Sequence, residues 1–301
     1  MNPIDRVAFL CLGVMGGPMA GHLARAGLSV TVYNRTTRRA EQWLETYSDC
    51  RVELAASPEQ AARGAEVVFA CTGADPDLEE LVLGPEGALA GMAPGSVFVD
   101  HTTASAVLAR ELAARLAAVG VGFLDAPVSG GQSGAEAGQL TIMIGGEQDT
   151  YQRVAPLLEH YAKKHLLLGP AGSGQLTKMV NQICIAGLLE ALAEGLLFAS
   201  AAGLDAKRVI EVISQGAAGS WQMSNRAQTM IEGHFDFGFA VEWMRKDLAM
   251  ALEEGARRGV PLPVAEIVDG LYAEVQRLGG GRFDTSSLLL GLEDRMRRGS
   301  V

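Results

Sequence analysis

The stretch VAFLCLGVMGGPMAG, residues 7–21, begins with an apolar run and then breaks into glycines. This pattern predicts a buried strand that turns into a helix. In the fingerprint GxGxxG the first glycine permits the tight turn, the second lets backbone approach a pyrophosphate, and the third lets the helix pack closely. Gly13 and Gly16 occupy the second and third places, and Cys11 occupies the first. We expect Cys11 to make the turn with an ordinary φ, and the helix start to bind a nucleotide.

Short apolar runs alternate with alanine-rich helical segments from residue 7 to about residue 168. This alternation predicts a doubly wound, mostly parallel α/β sheet. The glycine-rich segment GPAGSG, residues 169–174, ends the pattern, and only helical segments are predicted after it. We therefore predict two domains, an α/β domain over residues 1–168 and an all-helical domain over residues 169–301. The helix that starts near Gln175 is apolar nearly all round, which is typical of a core or an interface.

The composition excludes several classes of protein. A net charge of −10 disfavours nucleic acid and anionic membranes as partners. The four cysteines lack CxxC spacing, which disfavours a zinc site or a disulfide framework and fits the cytoplasm. Polar residues in the longest apolar helix argue against a membrane span, namely Lys178, Asn181, Glu190 and Glu194. An apolar share of 48% indicates buried subunit contacts, so we predict a homodimer or homotetramer.

The second predicted strand ends in Asn34, Arg35 and Thr36. In NAD-specific sheets of this type an acidic residue stands at this place and binds the adenosine ribose, and its charge repels a 2′-phosphate. That carboxylate is missing here, and an arginine and a hydroxyl stand in its place. Because an arginine pairs well with a phosphate, the sequence predicts NADP(H) as the preferred cofactor, with NAD as the alternative.

Two later segments carry polar residues in otherwise apolar or glycine-rich surroundings. In DAPVSGG, residues 125–131, Ser129, Gly130 and Gly131 follow a strand end, where N–H groups and a hydroxyl can bind a carboxylate. In GSGQLTKMVNQ, residues 172–182, Lys178 and Asn181 lie three apart on one face of the apolar helix. This pairing favours a lysine that points into a cleft.

Six segments in this order, LGVMGGPMAGHL, NRT, DHTTAS, DAPVSGG, GSGQLTKMVN and KDL, resemble the β-hydroxyacid dehydrogenase family. That family includes 3-hydroxyisobutyrate dehydrogenases, tartronate semialdehyde reductases and glyoxylate or succinic semialdehyde reductases. The resemblance covers essentially the whole chain. It implies a Rossmann N-terminal domain, an all-helical C-terminal domain, and hydride transfer between a nicotinamide cofactor and a small 3-hydroxy acid or semialdehyde carboxylate in the cleft between them.

The resemblance also implies a role for each matching residue. Lys178 would be the catalytic lysine, which stabilises and protonates the substrate oxygen. Asn181 would bind the substrate or orient the lysine, and the substrate carboxylate would lie at Ser129, Gly130 and Gly131. The implied cofactor-binding residues are Leu12, Gly13, Val14, Met15, Gly16, Asn34, Arg35, Thr36, Thr103 and Lys246. No metal site is implied.

The sequence departs from the family pattern at Cys11, at Thr102, where serine is usual, and at His101 beside it. These departures concern the fine geometry of the cofactor site. Two alternative functions stay open. One is an imine reductase on the same scaffold, although such relatives typically lack the lysine. The other is a non-catalytic NADP-binding module used for oligomerisation.

Several other residues admit two interpretations. A structural role is favoured for His101, because no second base lies nearby in the sequence. Cys11 and Cys71 are predicted at the ends of neighbouring strands, and small apolar fillers are favoured over reactive thiols. The aromatic residues of the helical half fit a substrate pocket and a core equally well, namely Trp221, Phe235, Phe237 and Phe239.

Overall fold

The apolar run that opens the chain forms a strand, Arg6–Leu10, in the computed structural model, which describes residues 4 to 299. Its side chains alternate between two cores: Val7 and Phe9 belong to one apolar cluster, and Ala8 and Leu10 belong to another. This division follows from the two-residue period of a strand, since both faces of the sheet are covered. The predicted buried strand is therefore present.

Nine strands form the sheet of the first half of the chain. Their bounds are Arg6–Leu10 (β1), Ser29–Tyr33 (β2), Val52–Leu54 (β3), Val67–Ala70 (β4), Val97–Asp100 (β5), Gly122–Asp125 (β6), Val128–Ser129 (β7), Leu140–Gly146 (β8) and Ala162–Leu167 (β9). The order is β3-β2-β1-β4-β5-β6-β8-β7, with β9 paired to β8. Strands β1 to β6 pair in parallel, whereas β8 is antiparallel to β6 and β7. The doubly wound, mostly parallel sheet is confirmed.

Eight helices accompany these strands within residues 4 to 172. They are Gly16–Arg25 (α1), Thr37–Thr46 (α2), Pro58–Ala62 (α3), Asp75–Leu83 (α4), Ala88–Gly91 (α5), Ala106–Ala117 (α6), Gly131–Glu136 (α7) and Gln148–Leu158 (α8). Because β1 to β6 run in parallel, their carboxyl ends meet at one edge of the sheet, which is where ligands bind in such folds.

The second half is helical, as predicted, and no strand of two or more residues follows β9 in the part of the chain that the structure describes. Its helices are Ser173–Ala201 (α9), Ala206–Ile213 (α10), Trp221–Ile231 (α11), Val241–Arg258 (α12), Pro263–Arg277 (α13) and Leu288–Arg297 (α14), with a 3₁₀ turn at Thr285–Ser287. Its apolar core combines residues of α9 with side chains from the later helices.

The chain divides into two compact units, Met1–Lys178 and Met179–Val301. The division falls within α9, beyond the predicted boundary at residue 168, because the first turn of α9 is hydrogen-bonded to the sheet of the first unit. By length and composition alone α9 could cross a membrane, with a mean hydropathy of 1.8 in its most apolar window. It also carries buried polar side chains at Gln175, Lys178, Gln182 and Glu190, which is typical of a core helix rather than a membrane span.

Candidate active site

The turn after β1 differs from the sequence prediction at Cys11. The φ of Cys11 is +74°, and within residues 4 to 299 no other non-glycine residue has a positive φ. The expectation of an ordinary φ is therefore wrong. The left-handed region is the one that glycine adopts without strain, so the turn keeps the geometry of the glycine-containing fingerprint although its residue is a cysteine. The N–H of Cys11 donates to the Tyr33 carbonyl at 2.8 Å, which ties the turn to β2.

The two remaining glycines of the loop, Gly13 and Gly16, have different surroundings. A Cβ atom built on Gly16 would lie 2.0 Å from the carbonyl oxygen of Cys11, so only glycine lets α1 start this close to the strand. A Cβ on Gly13 would meet nothing within 4 Å, because that position faces open space. The N–H groups of residues 13–16 donate to no other described residue. Unpaired donors at a helix N-terminus beside open space fit a nucleotide pyrophosphate.

Asn34 connects the loops that follow β1 and β2. Its Oδ1 accepts the N–H of Leu12 at 2.8 Å, and its Nδ2 donates to the Thr36 carbonyl at 2.9 Å. Leu12 is buried and its N–H is already hydrogen-bonded to Asn34, whereas Val14 is 63% exposed. Of the predicted cofactor-binding residues, Leu12 and Asn34 shape the loops, and Gly13 to Gly16 present the unpaired donors.

Arg35 extends from the end of β2 with 87% of its side chain exposed. Its Nη1 lies 3.3 Å from Oδ1 of Asp77, near the start of α4. An ion pair this exposed contributes little free energy, so the guanidinium remains accessible to an anion. Thr36 is the N-cap residue of α2, and its hydroxyl makes no capping hydrogen bond.

Lys178 lies beside the predicted carboxylate-binding segment. It is only 7% exposed, and its Nζ donates to the carbonyl oxygen of Val128 at 2.9 Å. The next residues are the half-buried Ser129 and the exposed Gly130 and Gly131, whose φ angles are +134° and +63°. The structure therefore places the lysine against this segment, although 50 residues separate Lys178 from Val128.

Buried carboxyl groups lie at the ends of β5 and β6, where Asp100 and Asp125 are paired across the two strands. Burial raises the pKa of Asp100 to about 7 and that of Asp125 to about 6. Asp125 accepts the N–H groups of Gly172 at 2.7 Å and Gln175 at 2.9 Å. It thereby caps the first turn of α9, the helix that carries Lys178. The motif segment was recognised in the sequence, but this role of its aspartate was not.

Asn181 and Lys246 belong to the second unit, on α9 and α12. The Nδ2 of Asn181 donates to Oε1 of Gln182 at 2.8 Å, and Nε2 of Gln182 donates to Oδ2 of Asp247 at 2.7 Å. Because Nδ2 of Asn181 is the donor here, Oδ1 of the same side chain is its hydrogen-bond acceptor. The Nζ of Lys246 lies 3.3 Å from Oδ1 of Asp247. Sequence reasoning missed Gln182 and Asp247, since neither carries a local signal of this contact.

His101 is a buried core residue, in agreement with the structural role favoured from the sequence. Its Nδ1 lies 2.7 Å from the Ala126 carbonyl and its Nε2 lies 2.8 Å from the Tyr161 hydroxyl. Burial lowers the pKa of His101 to about 4, so the ring is neutral at physiological pH. Nδ1 must then carry the hydrogen, and Nε2 accepts from Tyr161.

The thiols and aromatic side chains fit the structural interpretations in part. All four cysteines are free thiols, and burial raises the pKa of Cys11 to about 11, which suppresses its reactive thiolate. Phe235 and Phe239 contribute to the core of the second unit. Trp221 and Phe237 instead lie about 5 Å from the guanidinium of Arg226. No group of three or more possible metal ligands occurs within residues 4 to 299.

Comparison with known proteins agrees with this arrangement. Residues 6–169 match a family model described as the NAD binding domain of 6-phosphogluconate dehydrogenase. Residues 172–291 match a second family model, described as NAD-binding of NADP-dependent 3-hydroxyisobutyrate dehydrogenase. The fold and these matches define an NAD(P)-dependent oxidoreductase that acts on a hydroxyl group. More narrowly, the chain belongs to the 3-hydroxyisobutyrate dehydrogenase family of hydroxyacid dehydrogenases.

Two relatives illustrate the range of the family. An uncharacterized oxidoreductase of Shewanella frigidimarina is 57% identical over 96% of this chain and 98% of its own length. The 2-hydroxy-3-oxopropionate reductase of Escherichia coli is 35% identical over 96% of this chain and 97% of its own length. Full-length matches of this kind place the whole chain, rather than one domain, in the family.

Solved structures show the same fold. The 3-hydroxyisobutyrate dehydrogenase of Mycobacterium tuberculosis, described with L-serine, has a TM-score of 0.85 at 30% identity and covers 96% of this chain and 99% of its own. A structure described as a complex with NADP+ and 2-OPP has a TM-score of 0.85 at 25% identity, with 95% and 99% covered. An imine reductase from Pseudomonas sp. reaches 0.62 at 20% identity, with 97% and 100% covered, which is a likeness of fold alone.

Proposed function

We propose that the protein interconverts a small 3-hydroxy acid and the corresponding semialdehyde carboxylate, with NADP(H) as its preferred cofactor and Lys178 as the proton donor. The observation that carries this proposal is the 2.9 Å hydrogen bond from Nζ of Lys178 to the Val128 carbonyl, one residue before Ser129. A buried ammonium beside a hydroxyl and two positive-φ glycines can hold a carboxylate and a neighbouring carbonyl oxygen together.

The cofactor and the protein chain supply different parts of the proposed reaction. A bound nicotinamide supplies or accepts the hydride. Lys178 supplies the proton: Nζ donates to the substrate oxygen as negative charge develops there, and burial strengthens this electrostatic stabilisation. Ser129 and the N–H groups around Gly130 and Gly131 hold the carboxylate, so the reacting carbon is fixed relative to Nζ. Asn181 remains a predicted substrate contact, and Thr103 and Lys246 remain predicted cofactor contacts.

A substrate screen tests this proposal. The purified protein is assayed in the reductive direction with NADPH and 2-hydroxy-3-oxopropionate, glyoxylate or succinic semialdehyde, and in the oxidative direction with NADP+ and 3-hydroxyisobutyrate. Where the compounds are stable, each acid is compared with its methyl ester. Loss of a charge-assisted contact costs about 1.5 to 3 kcal/mol, so the ester should lose about ten- to a hundredfold in kcat/KM. Equal turnover of acids and esters would contradict the carboxylate site.

The preference for NADP(H) is supported by the accessible guanidinium of Arg35 and the absence of a carboxylate among residues 34–36. We expect kcat/KM for NADPH to exceed that for NADH, and Arg35→Ala to lower this ratio about tenfold. Asp77→Asn is the matched variant, because it removes the carboxylate that competes for Arg35 and should raise the ratio. A wild-type ratio near one, or a ratio that Arg35→Ala leaves unchanged, would refute this preference.

Two alternatives are tested by the same assays. An imine reductase would reduce preformed cyclic imines faster than semialdehyde acids, and it would not depend on Lys178. A non-catalytic binding module would bind NADPH without turnover. The family assignment and the buried Lys178 favour the hydroxyacid reaction over both.

We also propose a homodimer or homotetramer in the cytoplasm. Apolar side chains of the second unit support the oligomer, since Phe198 and Val212 are each 73% exposed and Leu204 is 54% exposed. Large exposed apolar surfaces of this kind mark interaction sites. Light scattering should give two or four times the 31.7 kDa chain mass, and a monomer mass would contradict the proposal.

A further inference from the structure

Gln175 lies in the first turn of α9, and its side chain is completely buried. We propose that Gln175 is a positioning residue that fixes the backbone around Thr103 relative to the helix that carries Lys178. This inference rests on the proposed function, because Thr103 is a predicted contact of the nicotinamide.

The carboxamide of Gln175 binds the backbone on both sides of Thr103. Its Oε1 accepts the N–H of Ala104 at 3.0 Å, and its Nε2 donates to the carbonyl oxygen of Thr102 at 2.7 Å. The N–H of Ala104 can only donate and the carbonyl oxygen of Thr102 can only accept, so the orientation of the Gln175 amide is determined. Thr103 cannot change its φ or ψ appreciably without breaking one of these two bonds.

The backbone of Gln175 is fixed at the same time. Its N–H donates to Oδ2 of Asp125 at 2.9 Å, while Gly172 donates to Oδ1 of the same carboxyl group. A Cβ atom on Gly174 would lie 2.5 Å from the carbonyl oxygens of both Asp125, at the end of β6, and Met143, within β8, so the helix start packs closely against these two strands. This contact leaves α9 little freedom to slide relative to β6 and β8.

Lys178 follows Gln175 by about one helical turn, and its Nζ reaches the Val128 carbonyl. The predicted cofactor contact and the proposed proton donor are thus joined within the first unit through a single side chain. Precise relative placement matters because a displacement of about 1 Å between reacting groups can cost on the order of a hundredfold in rate.

The chemistry of the side chain favours positioning over simple packing. A methionine would fill a similar volume without any polar atom to desolvate, whereas a buried carboxamide gains only about 1 kcal/mol net from each hydrogen bond. What the carboxamide adds is directionality, since two bonds of opposite polarity specify one arrangement of the segment 102–104.

Three full-length variants test the inference. Gln175→Met keeps the volume and removes both hydrogen bonds. Gln175→Glu keeps the acceptor for Ala104 and can donate to Thr102 only when its carboxyl group is protonated. Gln152→Glu makes the same chemical change at an exposed position on α8 and serves as the control. NADPH affinity is measured from nicotinamide fluorescence at pH 6 and pH 8, well below the melting temperature, and kcat is measured in parallel.

We expect the Kd for NADPH to rise ten- to a hundredfold in Gln175→Met at both pH values. In Gln175→Glu the Kd should rise similarly at pH 8 and return towards the wild-type value at pH 6, because protonation restores the donor to Thr102. The control should follow the wild type. A packing role would change the melting temperature but leave the Kd of the folded variants unchanged.

Two results would overturn the inference. One is a Kd within twofold of the wild type for folded Gln175→Met, and the other is a pH dependence of Gln175→Glu that matches the control. If Gln175→Met does not fold, Gln175→Glu at the two pH values decides alone. A wild type that binds NADPH but reduces no semialdehyde acid would refute the proposed function and leave the binding test intact. A wild type that binds neither NADPH nor NADH would refute both.

Discussion

Two regions at the carboxyl ends of the parallel strands differ in whether their polar groups are hydrogen-bonded within the chain. The nucleotide loop, residues 11–16, leaves the N–H groups of residues 13–16 without acceptors among the described residues. In the lysine framework, which we define as residues 100–104, 125–131 and 172–178, the side chains of Asp125, Gln175 and Lys178 are hydrogen-bonded to backbone groups. A binding loop keeps donors unpaired for its ligand, whereas a catalytic group is held in place in advance.

The largest expected effect tests the lysine framework. Lys178→Ala should lower kcat by about 10²- to 10⁴-fold, as is typical for the loss of a positioned proton donor, while NADPH affinity changes little. Lys164→Ala, at an exposed position on β9, is the matched control and should retain wild-type kcat. A Lys178→Ala variant with near-normal turnover would remove this lysine from the mechanism.

Substitutions at the two glycines of the nucleotide loop distinguish an effect on cofactor binding from an effect on folding stability. Gly16→Ala forces a Cβ against the Cys11 carbonyl and should cost about 1 to 3 kcal/mol of folding free energy. Gly13→Ala meets no protein atom within 4 Å, so stability should change by less than about 0.5 kcal/mol. The Kd for NADPH should nevertheless rise on the order of tenfold, because the Cβ enters the space expected for the pyrophosphate. Denaturant titrations and NADPH binding measure both quantities.

Equal stability losses in the two glycine variants would show that the loop is not open at Gly13. Unchanged NADPH affinity in Gly13→Ala would show that the open space is not the pyrophosphate site. Either result would remove the contrast between an open loop and a paired framework.

The fold was predictable because its long strands carry continuous apolar runs. Strands β3 and β7 have only three and two residues, which is too short for a periodic pattern that the sequence could reveal. Lys178, Ser129 and the glycines could be named as candidate site residues because they belong to motifs. The conformation of Cys11 was not, since it depends on how the turn meets β2 and α1. Gln175 was missed because its partners lie 71 and 73 residues away, and a glutamine in a helix carries no local signal.

The pH dependence of folding stability tests the cost of burying the carboxyl group of Asp100 in the lysine framework. Asp100 is fully buried, Oδ2 has no hydrogen-bond partner among the described residues, and burial raises its pKa from 3.8 to about 7. Between about pH 4 and pH 7 the folded state therefore binds a proton that the unfolded state has lost. The contribution of Asp100 to folding stability must therefore fall as pH rises through this range.

Asp100→Asn removes this titration and retains an acceptor for the Thr102 N–H. The wild type should lose about 1 to 3 kcal/mol more than the variant between pH 4.5 and pH 7.5, measured by denaturant unfolding. Asp149→Asn, at an exposed position on α8, should keep the wild-type slope. Parallel pH profiles for wild type and Asp100→Asn would show that Asp100 titrates alike in both states.

The smallest expected effect concerns the strain at Cys11. A non-glycine residue at φ +74° costs about 1 to 2 kcal/mol, and glycine would relieve that cost while losing about 0.5 to 1 kcal/mol to the greater freedom of the unfolded chain. Cys11→Gly should therefore raise stability by up to about 1 kcal/mol and leave NADPH affinity unchanged, since the donors of residues 13–16 are not altered. Cys71→Gly is the matched variant, because Cys71 follows β4 without a positive φ, and there the same replacement should destabilise by about 1 kcal/mol. Melting curves of the two variants therefore shift in opposite directions if the backbone is strained at Cys11. A loss of stability in Cys11→Gly as large as that in Cys71→Gly would show that packing of the thiol outweighs the strain of the turn.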